Sequence, residues 1–176
     1  EHVAQLIASL PEPIASICEF LLYTGRRLRE VLYLKVDDVQ KRDLPEPHLV
    51  ARFKVKGGAL QQFPLSPAAQ SVFEKYKGDR TEGYLFESPT GGHYNDIHQT
   101  HDRRVRKVGL VIADGRKFCL HDYRRLFATW AKLGGRRLDE IAVALGHTST
   151  AITDRYAGKQ ELDLSFFKNQ RKVRGA

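Results

Sequence analysis

The stretch LHDYRRLFATWAKLGG, Leu120 to Gly135, sets the frame for the rest of the chain. Leu126, Phe127, Trp130 and Leu133 recur at helical spacing and Gly134-Gly135 supply a stop, so the spacing predicts one helix over Leu120–Leu133. His121 and Arg124 then lie one turn apart near its start. From there both can reach a single anion, aided by the positive end of the helix dipole.

Outward from that helix, other polar residues fall in a telling order. Toward the C-terminus, a helix over about Leu138 to Leu145 stops at Gly146 and leaves His147 where the chain must turn; Ser149 or Thr150 can cap a further helix that presents Tyr156 in TDRY. Toward the N-terminus, Arg27 follows Thr24-Gly25 at the end of a helix, flanked by Arg26 and Arg29 on what reads as a basic face. Glu30 sits three positions on, where a carboxylate can hold Arg27 in place.

Arginine offers a planar, permanently charged fork that matches two phosphate oxygens. Histidine moves a proton near neutral pH, and tyrosine can form a covalent intermediate once it is helped to ionise. Taken singly, each of these residues would be an ordinary surface arginine, capping histidine or packing tyrosine. The ordered set is specific, and its chemistry is cleavage of a phosphodiester without metal.

Composition agrees with a role on nucleic acid, without distinguishing DNA from RNA. The chain has 176 residues, enough for one hydrophobic core, with 41% hydrophobic and 28% charged residues. Its net charge of +8 and pI near 9.6 imply attraction to a polyanion, most simply nucleic acid. A mean hydropathy of -0.44 leaves no apolar run long enough to cross a bilayer. Cys18 and Cys119 both stand among apolar neighbours and read as buried free thiols of a reducing cytoplasm, not a disulfide or zinc site. His93, His98 and His101 lack the carboxylate or cysteine pattern that would complete a metal site, and read as solvated or phosphate-facing. The chain has no Met and opens at Glu1 on the approach to a helix, as expected of a piece of a longer protein.

The remaining elements follow from periodicity. Helices are expected over Val3–Leu10 and Ile14–Tyr23, separated by Pro11 and Pro13, with a third outlined by Leu28, Val31, Leu32 and Leu34. Short Val-, Phe- and Leu-rich runs broken by LPEP and KGG predict strands near Val36–Gln40, His48–Val55 and Leu60–Leu65. A helix from Pro67 to about Tyr76, a connector over Tyr84–Glu87, and a helix near Asp96–Val108 carrying the basic run His101 to Lys107 complete the order. The expected fold class is α+β, mostly helical with a small three-stranded antiparallel sheet.

These motifs resemble those of the tyrosine recombinase, or phage integrase, family in its catalytic domain. TGRRLRE resembles the family's TGLRxSE box, HDYRRLFAT resembles HDLRHTFAT, and LGHTSTAITDRYA resembles LGHSSIxTTxxYxH in content and spacing. VKGGALQQFPLS is similar to GKGxKxRxVPL, which puts the family's hairpin lysine at Lys56, with Lys54 as the fallback. The chain departs from these patterns at Arg26, where the family has an apolar residue, at Arg125, and in the hairpin at Ala59 and Gln61.

The resemblance implies a site-specific recombinase fold and mechanism. Tyr156 would be the nucleophile that forms a 3′-phosphotyrosyl bond and releases a 5′-hydroxyl, with Arg27, Arg124 and His147 around the non-bridging oxygens. Lys56 would protonate the leaving oxygen, His121 would handle the nucleophile's proton, and Glu30 would buttress Arg27. No cofactor is expected, since the arginines fill the electrostatic role that metal ions play elsewhere. The implied partners are double-stranded DNA and, in the full-length protein, three further copies in a homotetramer on two recombination sites; the implied setting is cytoplasmic and DNA-associated, for a bacterial or phage-encoded protein. Residues 1–158 would form the catalytic domain. Residues 159–176, with Leu162, Leu164, Phe166 and Phe167, would form a tail that docks on a neighbouring copy or folds back, and a DNA-clamping domain would precede Glu1. Relaxation of supercoils in the manner of a type IB topoisomerase, and DNA binding by an idle site, are the competing readings.

Overall fold

The computed structural model describes residues 2–43, 47–55 and 58–146. Among them, helices α1 (His2–Ser9), α2 (Ile14–Thr24) and α3 (Leu28–Leu32) precede three strands, β1 (Val39–Arg42), β2 (His48–Lys54) and β3 (Leu60–Pro64); α4 (Pro67–Lys77), α5 (His98–Val108), α6 (Leu120–Leu133) and α7 (Leu138–Leu145) follow. The sheet is antiparallel in the order β1-β2-β3. The expected architecture is therefore the observed one.

Helix α2 is the centre of the core. Nine of its positions are buried, including Ile17, Cys18, Phe20, Leu21 and Leu22, so it is apolar nearly all round, as a helix enclosed on every side must be. It packs against α1, α3, α4 and α6. Gly25 then ends it in the left-handed conformation at φ 63°, with its N–H donated to Leu21 O at 2.9 Å. A side chain at Gly25 would also collide with α6 and α7, because a Cβ there would lie 2.5 Å from the Phe127 ring and 2.9 Å from Leu145. The turn that carries Arg27 is thus pressed against the two helices that follow the sheet.

The sheet contributes one face to the same core. Ala51 and Phe53 on β2 and Phe63 on β3 are buried, while the adjacent Lys54 and Gln62 are exposed. Ala51 pairs with Phe63, and Phe53 with Gln61. On the far side, Ala128, Ile141 and Leu145 form a small second cluster where α6 meets α7. Ser66 caps α4, accepting the Ala69 N–H at 3.3 Å ahead of Pro67.

Three expectations need correction. The first strand is displaced, since Val36–Asp38 form a 3-10 turn and pairing begins at Val39. Asp38 accepts the Lys35 N–H, a local bond that favours the turn over a strand. His101 is neither solvated nor phosphate-facing: it is 0% exposed, edge-on to Tyr123, with Nε2 3.3 Å from the Tyr123 hydroxyl. His93 stacks on Tyr33 instead. Of the two thiols, Cys18 is buried and its proton affinity is pushed up to about 12 by that burial, whereas Cys119 is only half-buried. No cluster of metal-ligating residues is found among the described residues.

Candidate active site

Arg27, Glu30, His121 and Arg124 converge where the end of α2 meets the start of α6, and each is placed by a different physical device. Arg27 is held locally. Its Nη1 lies 2.8 Å from Glu30 Oε1 and its backbone N–H donates to Glu30 Oε2 at 3.1 Å. Glu30 is buried, with a 5% exposed side chain, while that of Arg27 is 38% exposed. One carboxylate thus caps α3 and aims the arginine, leaving the outer part of the guanidinium open to an anion.

Arg124 is held from a distance. It is 1% exposed, its Nη1 donates to Gly25 O at 2.8 Å, and its Nη2 donates to Leu145 O. Those carbonyls belong to the C-terminal turns of α2 and α7, where helices leave acceptors unpaired and the dipole is negative. A cation is well placed between two such ends.

His121 stands at the first turn of α6, on the surface side. Desolvation by its neighbours, then the positive charges of Arg124, Arg125 and Arg27, hold its imidazole below the usual histidine range. It is therefore neutral at pH 7 and able to accept a proton. The same interaction tells that Arg27, Arg124 and His121 share one electrostatic neighbourhood. Asp122, beside it, is 1% exposed and ties the helix start together: it accepts from Arg116 at 2.6 and 2.8 Å, from Arg125 at 3.0 Å and from the Cys119 N–H at 2.8 Å. Burial alone would raise its carboxyl, but the Arg116 and Cys119 bonds hold it below the usual carboxylate range.

A cleft of about 510 Å³ opens beside Arg27 and is lined by Arg29, Glu30, Tyr33, Lys54 and Val55. Lys54, the fallback for the hairpin lysine, is therefore a cleft residue. Lys56, His147 and Tyr156 lie outside the described residues.

Sequence reading missed Arg26 and Gln61. Arg26 reads as part of a basic surface yet is 1% exposed, its guanidinium 4.6 Å from the Phe63 ring centre and 5.1 Å from that of Phe53. Burial lowers its pKa to about 10, which leaves it charged at neutral pH. Its Nη1 donates to Gln61 Oε1 at 2.8 Å and its Nη2 to Ala144 O. The available signal is that the chain departs from the resemblance at these two positions together.

The sequence profile described as the phage integrase family matches residues 1–162. The chain is 28% identical over 165 residues to the prophage integrase IntF of Escherichia coli (strain K12), covering 90% of this chain and 33% of that protein. It is 28% identical over 150 residues to the tyrosine recombinase XerS of Lactococcus lactis subsp. cremoris (strain MG1363), covering 80% and 40%. It thus spans two-fifths or less of the length of these relatives. Among solved structures, the XerH site-specific recombinase bound to difH in a pre-cleavage complex superposes with a TM-score of 0.68 at 18% identity, over 98% of this chain and 51% of that one.

Proposed function

The chain belongs to the phage integrase family, and from that premise we propose that it is the strand-cutting domain of a site-specific DNA recombinase. The observation that carries this reading is the fixed pair of arginines. Arg27 and Arg124 are both anchored by buried partners around one turn, beside a histidine that is neutral at pH 7. Such preorganised donors stabilise the charge that develops on a phosphate under attack, without reorganising as it forms.

In the proposed reaction the Tyr156 oxygen attacks the scissile phosphorus, the P–O bond to the 5′ oxygen breaks, and a 3′-phosphotyrosyl bond forms. The tyrosine proton passes to His121, and the 5′ oxygen leaves with a proton from Lys56. Arg27, Arg124 and His147 surround the non-bridging oxygens, and Glu30 holds Arg27. The phosphodiester energy is kept in the covalent bond, so a 5′-hydroxyl from a partner duplex rejoins the strand by the reverse step.

Double-stranded DNA is the proposed substrate. The exposed Arg103, Arg106 and Lys107 of α5 and the net charge of +8 favour contact with phosphates. A homotetramer on two sites is the proposed assembly. An apolar groove of about 550 Å³, bounded by Phe63, Phe127, Trp130 and Ile141, suits the apolar tail of a neighbouring copy.

Incubating the full-length protein with a nicked duplex carrying its attachment site tests the reading. A covalent protein–DNA adduct is expected, and it should vanish in Tyr156→Phe. An adduct that persists in that variant would sink the mechanism.

A further inference from the structure

The last turn of α7 presents three successive carbonyls, and each is taken by a side chain from a different part of the fold. Val143 O accepts from Gln61 Nε2 at 2.5 Å, Ala144 O from Arg26 Nη2, and Leu145 O from Arg124 Nη2. Gln61 lies on β3, Arg26 in the turn after α2, and Arg124 on α6. Arg26 and Gln61 are also joined to each other, Nη1 to Oε1 at 2.8 Å.

A helix C-terminus leaves its last carbonyls unpaired, and solvent or a simple cap usually satisfies them. Here a cation buried between Phe53 and Phe63 does so. The arrangement is long-range, because Arg26 is 35 residues from Gln61 and 118 from Ala144. Immediately beyond, Gly146 takes φ 67°, and a Cβ there would sit 2.7 Å from Gln61 Oε1. The sheet therefore abuts the point where the chain leaves α7 for His147.

We infer that Arg26 and Gln61 are paired positioning residues: they lock β3 to the last turn of α7, up to Gly146. Arg124 joins the same turn to Gly25, so one set of bonds registers the sheet, the arginine turn and the end of α7. An apolar residue at position 26 could fill the space between the two phenylalanines. It could not hold Ala144 O or Gln61.

The role in cleavage rests on the function proposed above, and the test separates the two. Full-length protein is compared as wild type, Arg26→Leu, Gln61→Ala and the double variant, for adduct formation, DNA affinity and amide hydrogen exchange. Each single change is expected to slow adduct formation about tenfold, with affinity within about twofold, because a misplaced segment loses geometry but not phosphate contacts. The double variant should be no slower than the worse single one, since both act through one tie. Exchange should quicken about tenfold at the end of α7 and stay unchanged in α4. Multiplicative losses, or faster exchange throughout the protein, would overturn the pairing. Should Arg26→Leu fail to fold, Gln61→Ala at its half-buried position carries the same comparison. If wild type forms no adduct, the functional reading fails, and hydrogen exchange alone still decides whether the tie exists.

Discussion

The two arginine-bearing turns of this protein are built on opposite principles. In the turn after α2, Arg27 is tethered within its own segment, by a carboxylate three residues away, and stays partly open to solvent. At the start of α6, Arg124 is fully enclosed and tethered to carbonyls 99 and 21 residues distant. A local tether aims a side chain, whereas a long-range tether also holds the fold together around it. Loss of Arg27's tether should then cost catalysis alone, and loss of Arg124's should cost both.

The largest effect is expected for Arg124→Ala. It strands the buried carbonyls of Gly25 and Leu145, at about 1–3 kcal/mol each, so urea denaturation should show a loss of several kcal/mol. Adduct formation should fall by roughly a thousandfold, the scale of removing a preorganised donor from a phosphoryl-transfer site. Arg124→Lys should recover little, because a point donor cannot span two acceptors. A stable, unfolding-competent Arg124→Ala protein with wild-type midpoint would break the contrast between the turns.

Gly25→Ala attacks the seam between them. A methyl group there meets Phe127 and Leu145 while the backbone stays at φ 63°, so a cost of about 2–4 kcal/mol is expected from strain and overpacking combined. The paired change Gly25→Ala with Phe127→Leu separates the two causes. Partial recovery marks the clash, and its absence leaves the backbone alone responsible.

Glu30→Gln should spare stability and injure chemistry. The ion pair is partly exposed on its arginine side, so its contribution to folding is below about 1 kcal/mol. Arg27 loses its anchor, however, and adduct formation should drop about 10- to 100-fold. Equal losses of stability in Glu30→Gln and Arg124→Ala would erase the distinction between local and distant tethers.

That distinction also governs what could be read from sequence. The Arg27–Glu30 pair was legible because three residues along a helix place two side chains together whatever the rest of the fold does. The helices at Ile14, Pro67, Leu120 and Leu138 were legible from their own periodicity, as was the antiparallel sheet from its alternation and turns. Arg26 was not, because its partners come from β3 and α7, and nothing in TGRRLRE reveals a cavity lined by Phe53 and Phe63. His101 was misplaced for the same reason: its helix is strongly basic, and only the packing of α5 on Tyr123 and Phe118 turns that one position inward. The first strand slipped because Asp38 bonds the Lys35 N–H and diverts Val36–Asp38 into a turn.

The smallest effect concerns two histidines that share a direction but not a location. His101 is held below the usual histidine range by burial, against the pull of Asp102, and His121 by desolvation and its arginine neighbours. For each, the unfolded chain binds more protons than the folded one between the lowered value and about 6.5. Stability therefore falls as pH drops below about 6.5, by at most about 1.4 kcal/mol per pH unit for the buried His101 and by less for the exposed His121, whose charge solvent screens, and the loss stops once the folded imidazole also protonates. His101→Gln should flatten the pH dependence of urea stability on this acid side and leave the pH profile of adduct formation in place. His121→Gln should also flatten stability, but abolish the acid limb of the profile, which in wild type should lie below the ordinary imidazole value. Should His101→Gln move the acid limb as far as His121→Gln does, the core histidine and the site histidine titrate as one unit, and the separation of core from site at the start of α6 is wrong.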